Sequence, residues 1–393
     1  MLATCIVSTA FGRRLTDFGG AAVLGIAEEL TNPSDVAVDL LTGDLYLADE
    51  SSNCVTRLSK ETSIMTTIAG IASCSGDGGL ATSTSLNGPT GLTVDAVRGL
   101  LYIADTGNNV IRMVEKGTGA ITTVAGTSEI GYSGDGGLAT SASMSQPAGT
   151  AVDPVTGNLY IADTGNNVIR VVMTITGIIT TAVGTGISGY SIDGGPATSA
   201  ALSSPTGLAY DHVTGNLFIA DTGNNVIRML TSMTGVISTI AGIASSGASY
   251  NGNGDGGPAV SASLNMPIGL AVDALKGLLY IADSGNNVIR MVNSAGVITT
   301  IAGDRYGRNG FSGDWGPATN ALMNRPVSVA LDASSGMMYV IYSYNRVTRN
   351  AIETSNVSTV PSAAPVFASV TFTPTAIPTS SGEIVYRGKQ RVE

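Results

Sequence analysis

Apolar residues fall in short runs of four to seven, broken by Gly, Asn, Asp and Thr, and the runs return in the same order along the chain. In one such stretch, Gly91-Leu-Thr-Val-Asp95 is followed by Leu100-Leu-Tyr-Ile-Ala104, a Gly-Asn turn, Val110-Ile-Arg-Met-Val114 and Ala120-Ile-Thr-Thr-Val-Ala-Gly126. Runs of this length, bounded by turn residues, predict four antiparallel strands rather than amphipathic helices.

The stretch repeats. Ile103-Ala-Asp-Thr-Gly-Asn-Asn-Val-Ile-Arg112 recurs at 161–170 and 219–228, with Ser for Thr at 281–290, and looser copies stand at 47–57 and 340–349. Its aspartate is Asp49, Asp105, Asp163, Asp221 and Asp283, with Tyr342 in the sixth copy, at intervals of 56 to 62 residues. One four-stranded sheet cannot cover both of its own faces, whereas sheets set radially cover one another. The pattern therefore predicts an all-β fold over residues 1–360, a six-bladed β-propeller of four-stranded antiparallel blades. Residues 361–393, rich in Pro, Ser, Thr and Ala, read as a linker or tail. The strand that completes the sixth blade could be Ile6-Val-Ser-Thr-Ala-Phe-Gly12 or Val357-Ser-Thr-Val360, and the sequence leaves both open.

The residues Pro89-x-Gly-Leu-x-Val-Asp95, Leu101-Tyr-Ile-Ala-Asp-Thr-Gly-Asn-Asn-Val-Ile-Arg112 and Gly134-Asp-Gly-Gly-x-Ala-Thr140 resemble the NHL repeat in its long, teneurin-like form found in secreted and surface proteins. The resemblance covers about residues 5 to 360 and implies the propeller fold with an extracellular or cell-surface location. It says less about activity. The amidating-lyase members of the family hold zinc with several histidines, whereas this chain has His212 alone. RNA-reading members carry a basic face, which a chain with four lysines and a net charge of −10 does not offer. No nucleic-acid partner is therefore expected.

Spacing separates the rigid parts from the variable ones. Each pre-strand proline (Pro33, Pro89, Pro147, Pro205, Pro267, Pro326) precedes its turn position by 16 residues, and each Asp-Gly-Gly aspartate (Asp77, Asp135, Asp193, Asp255, Asp314) precedes the next proline by 12. The small residues after Asp-Gly-Gly, as in Pro196-Ala-Thr-Ser-Ala200, suggest one helical turn. Apart from one residue in the fifth unit, length varies only between the fourth strand and that aspartate. In an antiparallel blade these loops share a face with the Asp-Thr-Gly-Asn-Asn turns, so the variable loops and those turns are expected on one side of the ring.

Chemistry is sparse. Charged residues are 12% of the chain, against about 25% in average proteins, and hydrophobic residues are 43%, a composition of folded chains. No run is long enough for a membrane span. Cys5, Cys54 and Cys74 lack metal-ligand spacing. A Ser-His-Asp or Cys-His arrangement would have to use His212, which sits in a short turn where other repeats have Pro154, Ala96 or Ala274. The Ile-Ala-Asp aspartates stand seven residues before an arginine (Asp105 and Arg112, Asp163 and Arg170, Asp221 and Arg228, Asp283 and Arg290), which places each pair diagonally on one sheet face as ion pairs. A ring of aspartates binding Ca²⁺ is the rival reading. The aspartates that close the first strands, Asp39, Asp95, Asp153, Asp211, Asp273 and Asp332, read as hairpin-turn residues. No catalytic constellation, cofactor or metal site is predicted.

The sixth copy departs most. Tyr342-Ser-Tyr-Asn-Arg346 replaces Asp-Thr-Gly-Asn-Asn, and the loop before it, Asp304-Arg-Tyr-Gly-Arg-Asn-Gly-Phe-Ser-Gly-Asp-Trp315, holds the only tryptophan. Aromatics are 5% of the chain, yet Tyr306, Phe311, Trp315, Tyr342 and Tyr344 gather here with Arg305, Arg308 and Arg346. That mixture is typical of binding hot spots, although a drifted closing blade could also carry it. The expected function is a non-catalytic recognition scaffold that binds a protein or glycan through the long-loop face. The alternatives are a Ca²⁺-dependent hydrolase or lactonase with carboxylates in the central channel, and a structural spacer. A sequon, Asn356-Val-Ser358, adds slightly to the case for secretion.

Overall fold

The computed structural model describes residues 6–9, 30–70, 79–191, 193–244, 254–313, 317–342, 346–351, 373–378 and 384–389. Blade two shows how a repeat folds. Pro89–Asp95 is innermost, Leu100–Asp105 and Val110–Glu115 follow by antiparallel pairing, and Ile121–Ala125 is outermost. Blade one begins at Pro33, blade three at Pro147, blade four at Pro205 and blade five at Pro267, each with the same strand order. Leu101, Tyr102, Ile103 and Ala104 are all buried, because both faces of the second strand lie against neighbouring sheets. This is why the strands read as continuous apolar runs rather than as alternating ones.

The expectation of six like blades is corrected. Five complete blades are present, each made of four consecutive strands. The last repeat supplies only three, Pro326–Asp332, Met337–Tyr342 and Arg346–Ala351, and does not form a blade of its own. Its sheet is completed from the other end of the chain by Ile6–Thr9, which pairs antiparallel with Arg346–Ala351. The physical reason lies in the outer edge: Ile6–Thr9, one of the two closing strands the sequence offered, pairs along Arg346–Ala351, so this sheet is not built from four consecutive strands. The alternative closing strand, 357–360, lies outside the described residues, as does most of 361–393. Within that tail, Thr373–Pro378 and Ile384–Lys389 pair as a two-stranded ribbon.

A hydrophobic cluster fills each contact between neighbouring sheets. Leu101, Ile103, Val114 and Ile121 of blade two pack on Ala48, Val55 and Ala69 of blade one. The mixed sheet joins blade five through Met338 and Val340 against Tyr280 and Ile289, and blade one through Tyr339 and Ile341 against Leu45 and Leu47. Each such side chain contributes about 1.5–3 kcal/mol by leaving water. The cores therefore lie between sheets, and the chain stands only as an assembled ring.

The innermost strands approach one another most closely two residues after the proline. A Cβ on Gly91 would stand 2.0 Å from the Ala148 carbonyl oxygen, one on Gly149 2.1 Å from that of Thr206, and one on Gly207 2.0 Å from that of Ile268. Backbone occupies the space that a side chain would need. Gly149→Ala is therefore expected to cost about 3 kcal/mol through forced displacement of the ring. Gly117→Ala, where nothing lies within 4 Å, should leave the melting transition within about 0.5 kcal/mol of the parent. Equal transitions for the two variants in thermal unfolding would refute the packing argument.

Candidate functional site

The Thr-Gly-Asn-Asn loops are built alike. Thr106–Asn108 forms one 3₁₀ turn, and Asn109 follows in the left-handed region at φ 55°. Asp105 accepts hydrogen bonds from the Asn87 backbone N–H at 2.7 Å and from the Asn108 side chain at 2.9 Å. Asp163, Asp221 and Asp283 accept from Ser145, Ser203 and Asn265 and from their own turn asparagines in the same way. Burial pushes all three up to about 6, against the partial opposition of those donors. The short turns on the other face also follow the hairpin expectation. Asp153, for example, accepts from Val155 N–H and Thr156 Oγ1, and His212 is exposed.

The expected diagonal pairs form in two blades, Arg170 with Asp163 at 3.5 Å and Arg290 with Asp283 at 3.7 Å, and the arginines have a second, closer partner. The short contacts run to the Asp-Gly-Gly aspartates of the incoming loop: Arg170 to Asp135 at 2.7 Å, Arg228 to Asp193 at 3.1 Å and Arg290 to Asp255 at 2.7 Å. Each arginine is fully buried. Two are also covered by a loop tyrosine, Tyr132 over Arg170 at 5.2 Å and Tyr190 over Arg228 at 4.7 Å, whose hydroxyls bond Thr181 and Thr239. The inter-blade loops are thus clamped to the sheets they cross. Asp77 and Asp314 lie outside the described residues. The acceptor positions of the turn aspartates are engaged within each blade. Among the described residues, no group of three or more His, Cys, Asp or Glu side chains is placed to hold a metal ion.

Of the predicted aromatic patch, Arg305, Tyr306, Arg308, Phe311 and Tyr342 are described. Trp315 and Tyr344 lie outside the described residues, and Arg346 is placed in its strand by its backbone. Asp304 holds Arg308 at 2.6 Å, and Arg305 and Arg308 lie over the Tyr306 ring at 4.6 and 5.8 Å. Hydrogen bonding holds the Asp304 carboxyl below the usual carboxylate range, chiefly that from Arg308. The Tyr306 ring remains 55% exposed. Phe311 packs against Tyr342, their centroids 6.5 Å apart. Tyr342 itself is buried, so it seats Phe311 rather than facing solvent. Phe311 stands three residues before Asp314, the place that Tyr132 and Tyr190 hold before Asp135 and Asp193. Sequence reading missed this recurring loop aromatic, which a comparison of loop positions relative to Asp-Gly-Gly would have shown.

Sequence reading considered the centre of the ring only for channel carboxylates. A funnel of about 670 Å³ is lined by the innermost strands and opens on the short-turn face, near Leu41, Val97 and Leu275. At its narrow end Asp35 and Ser328 occupy positions that are glycine in the other repeats. Asp35 accepts from Val36 N–H at 2.8 Å, from Leu92 N–H at 2.6 Å and from the Ser328 hydroxyl, so it ties blade one to both neighbours. Burial raises its carboxyl to about 6 despite those donors.

Residues 247–310 match the teneurin NHL domain, and residues 144–172 match the NHL repeat. The chain carries NHL repeats. It is 32% identical to teneurin-4 of Mus musculus over 291 residues, which are 65% of this chain and 10% of that protein. It is 27% identical to NHL repeat-containing protein 2 of Homo sapiens over 355 residues, 84% of this chain and 48% of that protein. The chain therefore spans about a tenth of the one relative and about half of the other. A solved gluconolactonase of Xanthomonas campestris superposes with a TM-score of 0.54 at 13% identity, covering 89% of this chain and 98% of that one, and shares the fold. No helix among the described residues is long and apolar enough to cross a membrane.

Arg228→Ala should lower stability by about 3 kcal/mol, since it empties a buried site and removes the loop clamp. Asp193→Asn should cost about 1 kcal/mol or less, because Asp193 is 42% exposed and water replaces part of the contact. Chemical denaturation of both variants tests the ranking.

The pH dependence has a definite sign. Asp35, Asp163, Asp221 and Asp283 bind a proton more tightly folded, at about 6, than at their ordinary value of 3.8, so stability rises as pH falls through this interval. Asp332 behaves oppositely. Burial would raise it, but hydrogen bonds from Ser334 and Ser335 and the charge of Lys60 hold it at about 2, and its contribution is lost as pH falls from 3.8 through that value. The melting temperature is expected to be higher at about pH 5 than at about pH 7.5, and to decline below about pH 3. A monotonic fall from neutrality to acid would contradict this assignment.

Proposed function

We propose that the propeller is a non-catalytic recognition scaffold that binds a protein or glycan through its long-loop face. The observation that carries this is Tyr306, an aromatic ring with two arginines over it, one of them anchored by Asp304, and left more than half exposed. A ring fixed in this way loses little conformational freedom on binding, which is the property of interface anchors. Phe311, Trp315 and Tyr344, with Arg305, Arg308 and Arg346, complete the proposed surface. Tyr342 supports it from beneath. Tyr132 and Tyr190, with the exposed Ile130 and Ile187 beside them, extend apolar contact area around the same face.

An enzymatic reading would draw on the fold shared with a gluconolactonase. The channel carboxylate here, Asp35, is already engaged by three donors, which favours a structural role. The match to teneurins and the Asn356 sequon support a location outside the cell or at its surface.

Immobilised full chain would be screened against a glycan array and a panel of secreted proteins. For any ligand retained, Tyr306→Ala and Phe311→Ala should each weaken binding by about 30-fold, equivalent to about 2 kcal/mol, with the melting temperature kept. Retention of full affinity in both variants would dismiss the long-loop surface.

A further inference from the structure

The funnel on the short-turn face supports a separate inference. Its narrow end lies at the level of Gly149, Gly207 and Gly269, beside Asp35 and Ser328, and its walls are aliphatic, among them Val36, Leu92, Leu208 and Val272. The polar groups at the narrow end are already bonded to one another: Asp35 as described above, and the Thr93 hydroxyl to the Thr150 carbonyl at 2.7 Å. Four of the six turn aspartates around the mouth are paired with cations, Asp39 with Lys116, Asp95 with Arg98, Asp273 with Lys276 and Asp332 with Lys60, while Asp153 and Asp211 accept from threonine hydroxyls and backbone N–H groups, and His212 is exposed at the rim. A charged or polyhydroxylated guest would lose water here without gaining matched partners.

The hairpins around the mouth point the same way. Two residues after the turn aspartate, each complete blade sets out an aliphatic side chain: Leu41, Val97, Val155, Val213 and Leu275, exposed by 75, 71, 77, 58 and 81%. The last repeat has Ser334 there. A hairpin accepts polar residues at such a position, and side chains this exposed add little to the packing of their own blades. Three of these, Leu41, Val97 and Leu275, line the cavity mouth, and side chains so exposed at equivalent places call for a reason outside the fold. A cavity of about 670 Å³ is of the size that holds small molecules, which range over about 300–1,000 Å³.

We infer that the funnel binds the alkyl chain of an uncharged amphiphile, which enters tail first from the short-turn face and leaves its polar head in water at the aliphatic rim.

The test uses the full chain titrated with N-phenyl-1-naphthylamine, followed by displacement with hexanol, octanol and decanol. One saturable site is expected, with affinity rising about fourfold for each added methylene until the funnel is filled. Thr93→Trp, which obstructs the narrow part, should weaken octanol by about tenfold or more. So should the exposed triple variant Leu41→Asp, Val97→Asp and Leu275→Asp, and it decides the matter if Thr93→Trp melts early. Tyr306→Ala should leave alcohol binding unchanged, which keeps this result independent of the long-loop surface. Absence of a saturable site, affinity unchanged in the triple variant, or loss of binding in Tyr306→Ala would each overturn the proposal.

Discussion

The close approach of the innermost strands sets the geometry of everything outside them. Where Gly91, Gly149 and Gly207 face the carbonyl of the next strand, the backbones nearly touch, and the width of the ring is fixed by peptide groups rather than by side chains. The sheets then fan outward at a set angle, and the wedge between each pair is filled by Ile, Val, Leu and Ala. At the joint between the mixed sheet and blade one this contact is replaced. Asp35 and Ser328 put a carboxylate and a hydroxyl where glycines would have been, and hydrogen bonds bridge the strands instead of direct packing. A sheet assembled from both ends of the chain has no covalent continuity across its outer pair, so directional bonds at the inner joint help to set its position.

The turn aspartates and the arginine clamps carry that geometry to the surface. Asp105 and its counterparts hold the loop between the second and third strands, and the same carboxylates draw in the backbone 18 residues upstream, where the incoming loop ends. Arg170, Arg228 and Arg290 catch the middle of that loop through its Asp-Gly-Gly carboxylate. On the segment between the outermost strand and that aspartate, the turn and clamp side chains hold only single carbonyls, Gly131 by Asn166 and Ser133 by Arg170 in one blade, and it is the segment whose length changes most from blade to blade. Fixed loop ends with variable middles form a surface whose contact residues can vary without disturbing the sheets.

Much of this was legible in the residues. Near-identity of the Ile-Ala-Asp-Thr-Gly-Asn-Asn-Val-Ile-Arg copies gave away the strand order and the side on which the variable loops lie, because both depend on local turn chemistry. The sixth unit was misjudged as a blade like the others because counting copies of the inner strands does not decide between the two closing strands the sequence offered: Ile6–Thr9 joins by pairing with residues more than 300 positions away. The arginines were read in part. The separation of seven residues pointed to the pairs that Arg170 and Arg290 do make along the sheet with Asp163 and Asp283, whereas the shorter bond reaches back 35 residues to a loop that the strand pattern alone does not position. The central channel was weighed only for carboxylates, because the cavity there is lined by Val, Leu, Ala and Gly whose arrangement around an axis has no signature in any single repeat.

A ring of near-identical repeats cannot by itself orient an asymmetric ligand, since equivalent positions offer the same chemistry at every step. Orientation has to come from the places where the repeats differ. In this chain those places gather at one side: Tyr342 replaces a turn aspartate, Ser334 replaces a rim aliphatic, Asp35 and Ser328 replace throat glycines, and Arg305 to Phe311 form the arginine-rich loop. They occur on the long-loop face, on the short-turn face and in the channel between them, all at or beside the mixed sheet. The sector that cannot close as a repeat is thus also the one that breaks the equivalence of the ring at every level. The physical requirements of closure and of oriented binding therefore fall on the same residues.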